Sequence, residues 1–379
     1  MILDDQRELF EIPEGITYLN CAYMAPQLRT VREAGERAVA RKSRPWKITP
    51  PDFFEESERS RSLLAEVAGG DTDGVSIIPS ASYGLAVAAK NVTVERGESI
   101  LVLEEQFPSN VYAWRSLAGR RDARLVTVPR PPDHDWTSAV LDRVDGETAV
   151  VAVPHCHWTD GSRLDLVEIG ARAREAGAAL VVDATQSLGA YPLDVEEVRP
   201  DFLVAAAYKW LLGPYSLGFL YAGLGRREGE PLEHNWITRR DAEDFGGLTR
   251  YRDDYAPGAR RYDVGERSNF VLLPMANEAL RQLLEWGVGN ISGKLGELTG
   301  LVEREAARAG IPAVPADQRG AHMIGLRLGP EAPEDLALRL ASENVFVSVR
   351  GESVRVSPHL YNTREDVERL FEALAGMPG

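Results

Sequence analysis

Seven short apolar runs rich in β-branched residues constrain this chain more than any other feature: VSIIP (75–79), SILVLE (99–104), ARLVTV (123–128), TAVVAV (148–153), AALVVD (178–183), DFLVAA (201–206) and LGFLYA (217–222). Runs that are apolar on both faces fit strands of a sheet covered on both sides. Amphipathic stretches at 81–92, 107–120 and 163–176 lie between them, so the pattern predicts an α/β fold with a mostly parallel sheet between helices. The last connection differs. About ten residues, Gly213 and Pro214 among them, join the sixth run to the seventh, too few for a helical crossover, and the seventh strand is expected to be antiparallel.

Beyond a polar stretch (224–263), a helical pattern from about 274 to 308 carries Leu280, Leu283, Leu284, Leu295 and Leu298, with an interruption expected around Gly287 and Gly289. Residues 310–379 read as strand (HMIGLRL), helix (PEDLALRLASEN), two short strands (VFVSV and SVRVS) and helix (REDVERLFEALAG), a small α+β domain with its own core. A length of 379 residues suits two domains. The expected division is an N-terminal segment at 1–25 packed on one of them, a large α/β domain at 26–270, a connecting long helix at 271–309 and the small domain at 310–379.

Composition narrows the functions. Lys plus Arg number 43 against 58 Asp plus Glu, a formal charge of −15, which argues against nucleic acid or an anionic membrane as partner, because phosphate-rich surfaces attract basic patches. No run approaches the ~20 apolar residues of a membrane span, and the acidic start MILDDQRELF is unlike a leader, so a cytoplasmic protein is expected. Cys21 and Cys156 are too few for a disulfide framework, and the run His155, Cys156, His157 lacks the second ligand pair of a zinc site, so no metal is expected. Both cysteines read as small buried residues.

In an open α/β sheet, ligands sit outside the carboxyl ends of the strands. Those ends carry Ser80, Ala81 and Ser82 opening one helix, Glu105-Gln106-Phe107-Pro108-Ser109-Asn110 opening another, then Asp183-Ala184-Thr185-Gln186, and then Tyr208-Lys209. Lysine occurs only at 42, 47, 90, 209 and 294, and Lys209 is the one set among apolar strand-end residues. A lysine desolvated there has a lowered pKa and serves as a nucleophilic amine; the alternative is a rim lysine paired to an acid. Asp183 is either a turn or cap residue or a buried carboxylate that keeps a heteroaromatic nitrogen protonated. Ser80, Ala81 and Ser82 form either a plain N-cap or a phosphate cradle at the positive end of a helix dipole. Phe107 is either core or a face on which a flat ligand stacks.

The combination is more specific than its parts. A phosphate cradle, a stacking aromatic, an Asp-x-x-Gln and a lysine 26 residues after that aspartate match the needs of pyridoxal phosphate. These are donors for the phosphate, a face for the ring, a carboxylate for its nitrogen, a donor for the phenolate oxygen and an amine for the aldehyde. No G-x-G-x-x-G occupies the first strand–helix turn, which sets a dinucleotide-binding enzyme aside.

The segments YLNCAYMAP (18–26), PSASYGLAVAAKN (79–91), EEQFPSNVYAW (104–114), VPHCHWTDG (153–161), VDATQSLGAYPLDV (182–195), YKWLLGPYSLGFLY (208–221) and VRVSPHLYNT (354–363) span nearly the whole chain, which resembles the class V aminotransferase family of fold-type I pyridoxal-phosphate enzymes. The resemblance implies a fold-type I architecture with a seven-stranded sheet, and a homodimer in which the other subunit completes the phosphate site. It makes Lys209 the amine that forms the imine with the cofactor, Asp183 the partner of the ring nitrogen, Gln186 the partner of the phenolate oxygen, and Ala81 with Ser82 the phosphate cradle. Phe107 takes the ring-stacking position, and Arg355 becomes the clamp on the substrate α-carboxylate, a role suited to its bidentate fork. On sequence alone Arg355 reads as a structural ion-pair residue. His157 and Trp158 are expected to line the pocket near the phenolate edge, and Asn20, Tyr23 and residues in 224–270 to shape the substrate side.

Departures from the family pattern narrow the activity. Cysteine desulfurases of this family need a nucleophilic cysteine shortly before the clamp arginine, and VSVRGES before Arg355 contains none, so desulfuration through that loop is not expected. Phe107 and Tyr208 stand where desulfurases carry His and both resemble kynureninases; the Tyr208 hydroxyl suits a phosphate. Trp158 resembles cystine C–S lyases, whereas EEQFPSNVYAW and SPHLYNT resemble isopenicillin-epimerase-like members. The hydroxyl residue usual three before the lysine is replaced by Ala206, and the Gly-Thr that reaches the neighbouring subunit's phosphate is Gly265-Glu266, which leaves Tyr208, Arg267 and Ser268 as candidates to complete the phosphate site.

The expected enzyme acts at the α-carbon of a small amino acid, with Lys209 taking the α-proton while Asp183 sustains the electron sink. Transamination or C–S-lyase-like elimination ranks first, with epimerase-like or kynureninase-like chemistry as the alternative. A binding scaffold without turnover is the remaining alternative, and Arg355 argues against it.

Overall fold

The computed structural model describes residues 3–329 and 333–376. Its strands are β1 (Thr17–Tyr18), β2 (Val75–Ile78), β3 (Ser99–Leu103), β4 (Arg124–Val128), β5 (Thr148–Pro154), β6 (Ala179–Asp183), β7 (Phe202–Ala206), β8 (Gly218–Ala222), β9 (Ile324–Arg327), β10 (Val345–Phe346), β11 (Ser348–Arg350) and β12 (Ser353–Val356). Strands β2 to β8 fall on the seven apolar runs and form one sheet in the order β2-β8-β7-β6-β5-β3-β4. The pairs from β4 through β3, β5 and β6 to β7 are parallel. β8 is antiparallel to both its neighbours, as the short connection from β7 requires.

Both faces of this sheet are buried, which is why its strands read as continuous apolar runs. Leu101, Leu103, Val151, Val153, Leu180 and Val182 pack with the helices Glu55–Ala68, Leu166–Ala176 and Leu272–Trp286. Their alternates Ile100, Val102, Val150, Ala152 and Val181 pack against Ala81–Asn91 and Ser109–Arg121. Each fully buried branched side chain contributes about 1.5–3 kcal/mol, so a polar replacement on either face opens the sandwich.

The long helical pattern divides into Leu272–Trp286 and Val288–Arg308. Gly287 between them has φ +77°, which favours glycine and ends the first helix. After it, β11, β12 and β9 form an antiparallel sheet packed with the helices Leu336–Ser342 and Arg364–Ala375. The segment VFVSV does not form one strand. It splits at Val347, because its first half pairs in parallel with β1 while its second half pairs with β12. The N-terminal segment, expected against one domain, joins both parts of the molecule: the Cys21 amide donates to the Ser357 carbonyl and the Ala25 amide to the Tyr208 carbonyl. No helix among the described residues is long and apolar enough to cross a membrane.

Candidate active site

The carboxyl ends of β2, β3, β5, β6 and β7 converge on a cavity of about 300 Å³. The topology dictates the place: β3 leads outward to β4, whereas β5 returns to β3's other side, and the loops part where the order reverses.

Lys209 follows β7 into this cavity and is 7% exposed. Its ammonium nitrogen lies 5.6 Å from the centroid of the Phe107 ring and 5.5 Å from that of Tyr208. Among the described residues it forms no hydrogen bond with a side chain and no ion pair, so it is not a rim lysine paired to an acid. Burial and the nearby Arg355 charge pull its pKa down to about 8, against the opposing pull of Asp183. The backbone around it is tightly folded. Gly213 donates to the Ala207 carbonyl, and Leu212 adopts φ +53°. Gly189, at φ +98°, lets the turn after β6 press on Trp210, where a Cβ would stand 2.5 Å from the Trp210 carbonyl oxygen.

Asp183 ends β6, and burial raises its pKa, opposed by hydrogen bonds from Thr185 and by the Lys209 charge. The Thr185 amide donates to Asp183 Oδ1 at 3.0 Å, and the Thr185 hydroxyl accepts from the Ala206 amide at 3.2 Å, tying the ends of β6 and β7 together. Gln186 is held from three sides. Its Nε2 donates to the Ala22 carbonyl at 3.1 Å, its Oε1 accepts from Trp210 Nε1 at 3.0 Å, and its backbone carbonyl lies 2.5 Å from His322 Nε2. Burial holds His322 down to about 4, so it is neutral and can donate to that carbonyl.

On the opposite wall Ser80 caps the helix Ala81–Asn91 by accepting from the Tyr83 amide at 3.2 Å, and its hydroxyl lies 2.9 Å from that of Ser82. The amides of Ala81 and Ser82, at the start of that helix, have no acceptor among the described residues. Asn110 also lines the cavity and is wholly buried; its Oδ1 accepts from Trp114 Nε1, but its Nδ2 has no partner. Phe107 and Trp158 meet edge to face, centroids 5.4 Å apart, with Trp158 Nε1 anchored on the Glu105 carbonyl at 2.6 Å.

Arg355 on β12 is 1% exposed and donates from Nη1 to the Trp158 carbonyl at 2.5 Å. Its buried Nε has no partner, and it has no carboxylate within ion-pair distance among the described residues, contrary to the structural ion pair read from sequence alone. Burial, followed by the charge of Arg350, lowers its pKa to about 9. A buried guanidinium with idle donors is suited to receive an anion from outside the chain.

Several expected residues are not brought together with these. His157 does not line the cavity: it is fully buried, stacks on Trp136 with centroids 5.1 Å apart, and places Nδ1 2.7 Å from the Thr159 hydroxyl. Ser268 donates to the Phe53 carbonyl at 2.5 Å, and Arg267 is bound to Ser57 and Asp263, so neither faces the cavity of its own chain. Asn20 is turned to the Ser348 hydroxyl at 2.8 Å, and Tyr23 stands exposed. The structure adds Thr185, Asn110 and the pair Trp210 and His322, which support the site through neighbours. Only adjacency to Asp183, Phe107 or Lys209 marked the first three in the sequence; His322, 136 residues from its partner, carried no local signal.

A family model described as aminotransferase class-V matches residues 51–370. The chain is 27% identical over 390 residues to an uncharacterised aminotransferase of Bacillus subtilis (strain 168), covering 98% of this chain and 97% of that protein. It is 27% identical over 336 residues to isopenicillin N epimerase of Streptomyces clavuligerus, covering 85% and 84%. In fold it is similar to the apo structure of a cysteine desulfurase from Thermococcus onnurineus NA1, with a TM-score of 0.85 at 20% identity over 99% of this chain and 98% of that one.

Proposed function

The chain belongs to the aminotransferase class-V family, its cofactor is pyridoxal 5′-phosphate, and from that premise we propose that it transforms amino acids at the α-carbon, by transamination or by elimination of a β-leaving group, with Lys209 as proton carrier. The observation that carries the reading is an unpaired, buried lysine sharing one cavity with a buried carboxylate. The donors fit the cofactor. Acceptor-free amides at Ala81 and Ser82 would hold its phosphate, Asp183 its ring nitrogen and the second Nε2 hydrogen of Gln186 its phenolate oxygen, with Phe107 across the ring face. When bound, the group supplies an electron sink that makes the α-hydrogen of an attached amino acid acidic.

The chain's own residues do the rest. Asp183, buried at the end of β6, would set its carboxylate against the ring nitrogen and so favour a proton there. Lys209, near 8, can both release and accept a proton at its amine at neutral pH. Arg355 holds the substrate carboxylate with the donors it leaves unused, and Trp158, fixed by Glu105 and Arg355, walls the pocket from water. The working form in this reading is a homodimer whose second subunit completes the phosphate site. The exposed rings of Phe107 and Tyr215 at the cavity support a covered mouth.

The reading sets desulfuration aside. Arg350 pairs with Ser353, so only Gly351 and Glu352 link β11 to β12, a two-residue turn that holds no cysteine. Cys156 does line the cavity, but burial pushes its thiol up to about 12, and burial raises Cys21 further. Epimerisation is the second reading, favoured by the likeness to isopenicillin N epimerase. Incubation in deuterated water with a panel of amino acids, scoring α-deuterium, keto acid, sulfide, alanine and racemised product, tests all of these. Deuterium incorporation with at least one amino acid is expected; none with any of them leaves only a scaffold.

A further inference from the structure

Arg350, which none of the roles above uses, is a second guanidinium at the Arg355 wall. In the β11–β12 hairpin Arg350 faces Ser353 and Ser348 faces Arg355, so Arg350 and Arg355 lie on one face of the ribbon as diagonal neighbours, roughly 7–8 Å apart at the backbone. Both reach Trp158. Arg355 donates to its carbonyl, and the Arg350 guanidinium stands 5.8 Å from the centre of its ring. Arg350 is half-buried, its one hydrogen bond is from Nη1 to the Val349 carbonyl at 2.8 Å, and no carboxylate lies within 4.0 Å of it among the described residues.

Like charges set diagonally on one face repel, and most arginines among the described residues are offset by an acid. This pair is not. The Arg350 charge is felt in the site, where it helps lower both Arg355 and Lys209. Anionic groups from outside the chain relieve this repulsion. We propose that Arg350 binds a second anionic group of the substrate, so that the preferred amino acids carry a side-chain carboxylate or a related acid, the α-carboxylate going to Arg355 and the side-chain anion to Arg350 over the Trp158 ring.

This rests on the reading of the site as an amino-acid pocket. The test compares isosteric acid and amide pairs, glutamate with glutamine and aspartate with asparagine, by titrating the holoenzyme while following the cofactor's absorbance and α-deuterium exchange. The wild type is expected to favour the acid of each pair by about tenfold or more, as a charge-assisted pair warrants. Arg350→Gln should bring that ratio towards one, and Arg350→Lys should keep part of it. Equal response to acid and amide in the wild type overturns the proposal without any variant. So does an Arg350→Gln that weakens both members equally, which would place Arg350 on the α-carboxylate beside Arg355. A holoenzyme whose absorbance shifts with no amino acid overturns the underlying reading and this proposal with it.

Discussion

The Lys209 ammonium nitrogen rests 5.6 Å from the centre of the Phe107 ring, with no carboxylate in ion-pair contact among the described residues. A ring face offsets only part of the cost of burying a charge. Burial therefore lowers its pKa to about 8, so that the free amine its chemistry needs is accessible just above neutral pH.

That tension sets a pH dependence. The folded pKa of about 8 lies below the ordinary 10.5. Between these values the unfolded chain binds more protons, so apoprotein stability rises with pH across this window and the contribution is lost as pH falls through 8. Lys209→Met, which cannot ionise, should be more stable than the wild-type apoprotein at pH 7 by up to about 3 kcal/mol, with the gap closing by about pH 10. Urea unfolding of both apoproteins at the two pH values measures this, and a methionine variant less stable at pH 7 contradicts it.

Neither thiol is used in the proposed chemistry. Replacing Cys21 and Cys156 together by Ala should keep kcat within about tenfold, whereas losing a true nucleophile costs about 10³-fold or more. A loss of that larger size in an otherwise folded double variant would point to a persulfide route.

The cradle at Ser80 depends on a distant pair. Asp263 and Arg61 are wholly buried and bonded to each other, and Asp263 also accepts from the Ser76 hydroxyl at 2.9 Å and the Ile77 amide at 2.8 Å. It thereby pins β2, from whose end the cradle opens. Asp263→Ala removes the one wholly buried counter-charge of Arg61, leaving it only the half-exposed Glu58 and the Val75 carbonyl, and should cost about 3–5 kcal/mol in denaturant unfolding. A loss below about 1 kcal/mol would show that the strand holds its place without it.

Much of this architecture was legible because the sheet is buried on both faces. Ile100, Leu101, Val102 and Leu103 have no polar alternates, and the ten-residue return past Gly213 and Pro214 fixed the direction of β8. The division of VFVSV was not, since it depends on Thr17 and Tyr18 arriving from the other end of the chain. In the site, Lys209, Asp183, Gln186 and Phe107 stood out by position at strand ends. His157 did not behave as expected, because a strand end does not reveal which side a ring will take, and Trp136 offered it a stacking face. Nothing in the sequence marked Arg350, and only the hairpin register places it with Arg355.

The central claim is that Lys209 alone carries the cofactor. Borohydride reduction of the purified holoenzyme followed by peptide mass mapping tests it directly. The added cofactor mass should fall on the peptide holding Tyr208 and Lys209, and Lys209→Ala should lack the visible absorption band of the wild type. Cofactor mass on Lys42, Lys47, Lys90 or Lys294, or a band unchanged in Lys209→Ala, would contradict the account.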